Sequence, residues 1–395
     1  MPNFYHPFDE TLRGDNPWPI FRRMRDEAPA YFVEELNTWF LSRFEDVWAA
    51  STDRTHYTAN MGTTLYGLVG LWPPPPRAMV HDDPPEHSHS RGAISPLYQK
   101  VSVDKLEQKL REMVRTLLAP SLQKGELEVN QLTTALALHN IAEFIGLEYA
   151  DVTHIRSLLS VYLSCEPGIR GPTPKGDQAM GELAGFCMQL IQGFRTNLPA
   201  ENTHAHAWVT SGTDGRQLND EEIFMNLFSI ILTSSDTVPS MCAGTIYYLS
   251  EHPEQYAAVR GDHSLLTHAF AETVRYDHPT NMLGRRVVKD FELHGESIHT
   301  GQNVMWLFSS ANRDEREFPD ADQYQISRRA RRTLSFGAGI HACMGHHLAR
   351  LQGKIVLEEI FNAIPEYEVQ KHSCKRAYSD FLKGYCHVPI TFRPH

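Results

Sequence analysis

Apolar positions along this chain recur mainly at the three-to-four-residue spacing of amphipathic helices. Trp18 to Glu27 reads as a short helix, and two strand-like runs follow, Ala30 to Val33 and Thr38 to Ser42. Another helix begins over Glu45 to Ala50. From Thr58 to Arg77 the pattern is irregular, with Gly62, Gly67, Gly70 and the run Pro73-Pro74-Pro75-Pro76. Consecutive prolines exclude helix and favour a stiff extended chain. Helical patterns return from Val101 to Leu122, Leu127 to Ile145 and Gln178 to Leu198. Glu166 to Lys175, with two glycines and three prolines, reads as a loop, and strand-like segments recur near Arg286 to Val288 and Val304 to Phe308. The expected fold class is mostly α with a minor β component.

The longest helical candidate runs from about Asp220 to Ser250, capped by Asn219 or Asp220, with Pro253 just beyond its end. At ~1.5 Å per residue it spans about 45 Å. Phe224 to Leu232 is apolar nearly all round, so this helix should cross the interior. Asp236 and Thr237 sit in its middle, and a buried carboxylate is costly unless paired or hydrogen-bonded. Pro239 lacks an N–H and would clash with the Ser235 carbonyl, which predicts an opened turn beside that pair. With Thr233, Ser234 and Ser235 adding hydroxyls, such a turn could hold water and pass protons. The competing reading bonds Thr237 back to the preceding turn and puts Asp236 on a wet face.

One segment concentrates the chemistry: Phe336-Gly337-Ala338-Gly339-Ile340-His341-Ala342-Cys343-Met344-Gly345, just before the helix-forming run His346 to Leu351. Gly337 and Gly339 permit backbone angles or close approaches that a side chain would block. Gly345 leaves room for something flat, and a cysteine near a helix N-terminus is favoured as thiolate. An axial haem ligand needs these properties. The bland alternative is a buried small hydrophobe. A zinc site from His341, Cys343, His346 and His347 is the other, but separated ligand pairs are absent.

Composition narrows the class. The chain has 395 residues and no linker-like composition break or repeat, so one large unit over residues 1–395 is expected. Met1 to Ile20 is polar and proline-containing, which gives no apolar core for a signal or anchor. Phe224 to Leu232 is far below the ~18–20 residues of a membrane span. A soluble protein is expected. Six cysteines, Cys165, Cys187, Cys242, Cys343, Cys374 and Cys386, lack paired spacing, which fits a reducing cytoplasm. A net charge of −11 disfavours nucleic acid. Against it, Arg328, Arg329, Arg331 and Arg332 form a basic run, read as a solvated turn or as a docking patch for an acidic electron donor.

Phe336 to Gly345 resembles the haem-binding signature of the cytochrome P-450 family, the haem-thiolate monooxygenases, and four further places resemble the family in the correct order. The resemblance is to the soluble bacterial branch. It implies a single large triangular fold enclosing haem b (iron protoporphyrin IX), with Cys343 as the axial ligand to iron. His87, Arg91, His341 and one of Arg285 or Arg286 would bind the propionates, and spacing to Asp290 favours Arg285. Asp236 and Thr237 would be the acid–alcohol pair that delivers protons for heterolytic O–O cleavage, which the thiolate favours from the opposite face. Small residues usually precede that pair, whereas Thr233 and Ser234 stand there in this chain. Glu272 and Arg275, three apart on one helix face, would join Arg328 as a structural brace, and Ala311 to Asp314 matches a turn before it.

By the same resemblance the substrate pocket takes its walls from Thr58 to Met79, Cys165 to Pro174, the helix at Ser229, Leu232 and Thr233, Pro279 to Leu283, and Leu382 to His387. Thr233 and Asn281 would supply hydrogen bonds. The activity implied is insertion of one oxygen atom from O2 into a small or medium hydrophobic substrate, by hydroxylation or oxidative dealkylation. A separate ferredoxin or flavodoxin with its NAD(P)H reductase would supply electrons to a cytoplasmic monomer. A peroxide-driven peroxygenase and a non-catalytic haem sensor or carrier are the alternative readings.

Overall fold

The computed structural model describes residues 4–394 apart from Gly14, Asp15, Cys165, Pro167, Ser211, Asp214, Gly215, Tyr378 and Asp380. The expectations that Cys165 and Pro167 line a pocket loop therefore lie outside the described residues. The predicted long helix is present as Asp220–Glu251 and runs through the centre of the molecule. Its start is set by a reciprocal cap: the Asn219 side chain accepts from Glu222 N–H at 2.9 Å, and Glu222 accepts from Asn219 N–H at 2.8 Å. Ile223, Leu227, Ile231, Cys242, Ala243 and Ile246 are fully buried along it. It packs against Val129–Ile145, Tyr149–Tyr162, Pro174–Thr196, Leu266–Tyr276 and His346–Ala363. A Cβ on Gly353 would run into the Phe270 ring, so glycine there sets how closely His346–Ala363 approaches Leu266–Tyr276.

A five-stranded sheet flanks this helical body, in the order Ala30–Val33, Thr38–Leu41, Asn303–Leu307, Met282–Val287, Tyr57–Thr58. Asn303–Leu307 pairs parallel with Thr38–Leu41 and antiparallel with Met282–Val287. Asn303 is thus opposite Arg286, and Val304 opposite Arg285. Successive residues of a strand face opposite ways. Arg285 is therefore turned inward, and Arg286 outward to the carbonyls of Gly301 and Leu68. A hairpin of Lys375–Arg376 and Tyr385–His387 lies against the long helix. Among the described residues no helix is long and apolar enough to cross a membrane.

Four local expectations need correction. The region Val101 to Leu122 is two helices, Lys100–Asp104 and Glu107–Lys124. A helix at Tyr149–Tyr162 was not anticipated, because valine, threonine, isoleucine and serine give it poor intrinsic propensity. Burial of Val152, Ile155, Leu158, Leu159 and Tyr162 supplies what propensity lacks. The third helix starts earlier than Gln178, at Pro174, where the Thr173 hydroxyl caps Gly176 N–H at 3.0 Å. Finally, Pro239 does not interrupt the long helix, which runs unbroken past it.

Candidate active site

The cysteine loop is held by three backbone bonds. Gly337 N–H donates to Leu334 O at 3.0 Å, Ala342 N–H to Gly339 O at 3.1 Å and Cys343 N–H to Phe336 O at 2.8 Å. Gly337 and Gly339 have φ of 68° and 71°, left-handed values that a side chain resists. A Cβ on Gly339 would also strike the Ser51 carbonyl, which fixes the loop against the Phe44–Thr52 helix. Gly345 precedes the helix His346–Ala363, and a Cβ there would meet nothing nearer than the Tyr98 ring at 3.9 Å. Cys343 keeps accessible surface although protein surrounds it densely, the situation of a group lining an internal space. Burial pushes its thiol up, against the Gly345 N–H and the cations Arg91 and Arg350. The helix terminus alone therefore does not create the expected thiolate. A bound metal cation would, because coordination deprotonates a thiol outright.

Beside the loop lies a cluster of cations and imidazoles. The His87 and His341 rings are 4.3 Å apart, and the Nε2 atom of each is buried with no hydrogen-bond partner among the described residues. Arg285 is 6% exposed, donates to Gly284 O at 2.8 Å and lies over the Trp306 ring at 4.9 Å. Arg91 donates to Ala342 O at 2.6 Å. Among the described residues neither arginine has a carboxylate in ion-pair contact. Burial pushes Arg285 down to about 10. Burial and then the neighbouring cations push His341 down to about 2 and His87 to about 4. Orphaned donors in a positive pocket are the complement of a dianionic ligand. These residues fit a haem with its propionates. Arg285, not Arg286, is the arginine brought to the cluster, and Arg91 spans toward the cysteine loop.

The acid–alcohol pair occupies two adjacent faces of the long helix. Asp236 is ion-paired with Arg156 of Tyr149–Tyr162, Nη2 to Oδ1 at 2.5 Å. Thr237 Oγ1 donates to Thr233 O at 2.9 Å, and Thr233 Oγ1 to Ser229 O at 2.8 Å. The back-bonded alternative is the arrangement observed, and the hydroxyls are held along a closed helix. Asp236 also lines a cavity of about 330 Å³, at the small end of the roughly 300–1,000 Å³ typical of ligand pockets. Its walls include Tyr66, Trp72, Leu159, Phe228, Leu232 and Phe381. Thr233 and Asn281, expected to face substrate, are not part of that wall, which Arg156, Leu159 and Ser160 complete instead. Sequence reasoning missed these three with their helix, although its buried positions repeat at helical spacing.

The brace is assembled as expected. Glu272 meets Arg275 at 2.7 and 2.9 Å and Arg328 at 3.2 Å, and it accepts from Gln325 N–H at 3.0 Å. Of the basic run, Arg329 and Arg331 are exposed. Arg328 is turned inward, and Arg332 pairs with Glu317 and Glu45.

Comparison with known proteins agrees with this geometry. The family profile described as cytochrome P-450 matches residues 174–373. Cytochrome P-450 130 of Mycobacterium tuberculosis is 30% identical, covering 95% of this chain and 95% of its own. Linalool 8-monooxygenase of Pseudomonas putida is 27% identical, covering 96% of each. The crystal structure of CalO2 superposes with a TM-score of 0.84 at 25% identity, over 99% of both chains. A cysteine loop under a cationic cradle, on a fold shared over nearly the whole chain, leads to one conclusion. This chain belongs to the cytochrome P-450 family and is a monooxygenase whose cofactor is haem with a cysteine thiolate ligand.

Proposed function

We propose that the cavity beside Asp236 receives a small, largely apolar cyclic or terpenoid-sized substrate, and that hydroxylation or oxidative dealkylation occurs there. The wall of Tyr66, Trp72, Leu159, Phe228, Leu232 and Phe381 supports this reading, since apolar surface supplies affinity and a small volume excludes long chains. When bound, the haem supplies the activation of dioxygen, with two electrons from a redox partner. In this reading Cys343 holds the iron, and His87, His341, Arg285 and Arg91 neutralise the propionate side. Asp236 relays protons from water in the cavity when its pairing with Arg156 loosens. Thr237 Oγ1 gives up its bond to Thr233 O in order to donate toward the reacting oxygen. Electrons come from a separate ferredoxin or flavodoxin, and residues 1–395 act as one monomeric cytoplasmic unit.

The observation that carries this reading is the cradle at the cysteine loop: the buried Nε2 atoms of His87 and His341, without a partner among the described residues, and the Arg285 charge acting on both rings. The test is a reduced carbon-monoxide difference spectrum of wild type and Cys343→His, followed by haem spin-shift titration. We expect a red-shifted band only in wild type, and spin shifts with monoterpene alcohols and small aromatic ethers. A band retained in Cys343→His would sink the ligand assignment. Shifts with long-chain fatty acids alone would sink the substrate class.

A further inference from the structure

Behind the cavity the protein contains a cluster of tyrosines that the proposed reaction does not use. Tyr385 lines the cavity wall and stacks on Tyr247 at 4.3 Å between ring centroids. Tyr248 is 5.6 Å from Tyr247, 6.0 Å from Tyr385, 5.4 Å from Tyr324 and 5.1 Å from Tyr276. Tyr276 lies near the surface, where the Arg313 guanidinium covers its ring at 3.7 Å and the Trp18 ring at 3.8 Å. Three rings, Tyr385, Tyr248 and Tyr276, therefore connect the cavity to the exterior with neighbours in near contact.

The middle ring has a proton acceptor. Tyr248 OH donates to Asp277 Oδ2 at 2.9 Å, and Arg376 holds both oxygens of that carboxylate at 2.7 and 2.8 Å. Asp277 is 4% exposed. Burial works to raise its pKa, but the Arg376 charge and hydrogen bond and the Tyr248 hydroxyl outweigh burial and hold it low. Burial and then Asp277 push the Tyr248 phenol well above its ordinary value. At neutral pH the pair is a protonated phenol against an ionised carboxylate. Removing an electron from a buried phenol leaves a charge that this interior cannot solvate, unless the proton moves as the electron leaves. Asp277 stands where that proton must go. Packing alone would be met by phenylalanine, which places no hydroxyl on a buried carboxylate.

We propose that Tyr248 and Asp277 form a redox-active site, the middle of a tyrosine relay that drains oxidising equivalents from the cavity beside Asp236 to the surface. The proposal rests on the haem reading above. Tyr248 passes one electron toward the oxidised cofactor by way of Tyr385, and its phenolic proton passes to Asp277 Oδ2, leaving a neutral tyrosyl radical. An electron arriving through Tyr276 from a surface reductant such as ascorbate, with return of the proton from Asp277, restores the phenol. With hydrogen peroxide as oxidant, two such turns supply the two electrons that reduce one peroxide. One ascorbate monoanion is oxidised to dehydroascorbate, giving two electrons and one proton; a second proton from solvent completes the balance, and two waters form. The relay thus gives substrate-free enzyme a peroxidase activity that protects its own cofactor.

The test mixes substrate-free holoenzyme with hydrogen peroxide, freezes it within milliseconds and records the electron paramagnetic resonance spectrum. Wild type should give a tyrosyl signal that ascorbate quenches. In Tyr248→Phe, with haem content and melting temperature unchanged, the signal should fall several-fold and peroxide should bleach the haem several-fold faster. Tyr276→Phe, which leaves the Asp277 contacts in place, should keep the radical and slow its quenching by ascorbate several-fold. A wild-type holoenzyme without an organic radical overturns the relay, and so does a Tyr248→Phe variant with unchanged signal and bleaching. Protein that takes up no haem sinks the cofactor assignment instead, and the absorption spectrum reads that before any peroxide is added.

Discussion

His204 shows how much a single side chain can carry that no motif announces. It is fully buried, packs against the rings of Tyr98, Phe144 and Trp208, and has no hydrogen-bond partner on either ring nitrogen among the described residues. Burial pushes its pKa down to about 3 from 6.5. The sign follows directly. Between those values the unfolded chain binds the more protons, so the contribution to stability is whole above pH 6.5 and is lost as pH falls toward 3. At about 1.4 kcal/mol per pH unit, the loss at pH 5 is on the order of 2 kcal/mol. His204→Phe, which keeps the ring packing, should lower the sensitivity of the melting temperature to acid between pH 7.5 and 5. An identical acid shift in both proteins would refute this. Cys343 and His341 were legible at this scale because glycine spacing marks them. Nothing in the sequence marks His204, whose character comes entirely from the rings around it.

At the scale of elements, the long helix was legible in extent and in its Asn219 cap, since an apolar helical pattern and capping chemistry are both local. The state of its middle was not. Pro239 reads as a breaker, yet the packed neighbours on every side keep the backbone helical through it. Asp236 reads as an isolated acid, yet Arg156 from an unanticipated helix pairs with it. The helix also separates roles by face, with Asp236 on the cavity side and Thr237 bonded along the helix to Thr233. Thr237→Val keeps the branched shape and removes the hydroxyl donor. If Thr237 delivers the proton, product formed per electron consumed should fall by about ten-fold or more, with hydrogen peroxide rising to match. Simultaneous assay of NAD(P)H, peroxide and product checks this, and unchanged coupling would remove Thr237 from the reaction.

At the scale of the whole molecule, Glu272 joins elements far apart in sequence. Arg275 is 1% exposed and, besides Glu272, donates to the carbonyls of Asn312 and Ala321 at 2.9 and 3.0 Å. Arg328 completes the set from the segment before the cysteine loop. Glu272→Gln leaves two cations facing a neutral group, and breaking a buried pair in this way costs about 3–5 kcal/mol. Urea unfolding should show that loss, accompanied by weaker haem retention. A change under about 1 kcal/mol would class the pair with surface ion pairs.

The amino-acid order alone determined the helix-rich class, the long central helix and the cysteine loop, because hydrophobic period, capping and glycine spacing act over a few neighbouring residues. Spacing to Asp290 already favoured Arg285, and the tertiary structure adds the strand register that turns Arg285 inward and Arg286 outward. It alone paired Asp236 with Arg156, absorbed the Pro239 break, and gathered Tyr385, Tyr248 and Tyr276 into one contact path. These are contacts between segments tens to hundreds of residues apart, and their energies depend on burial and distance, which no local pattern encodes.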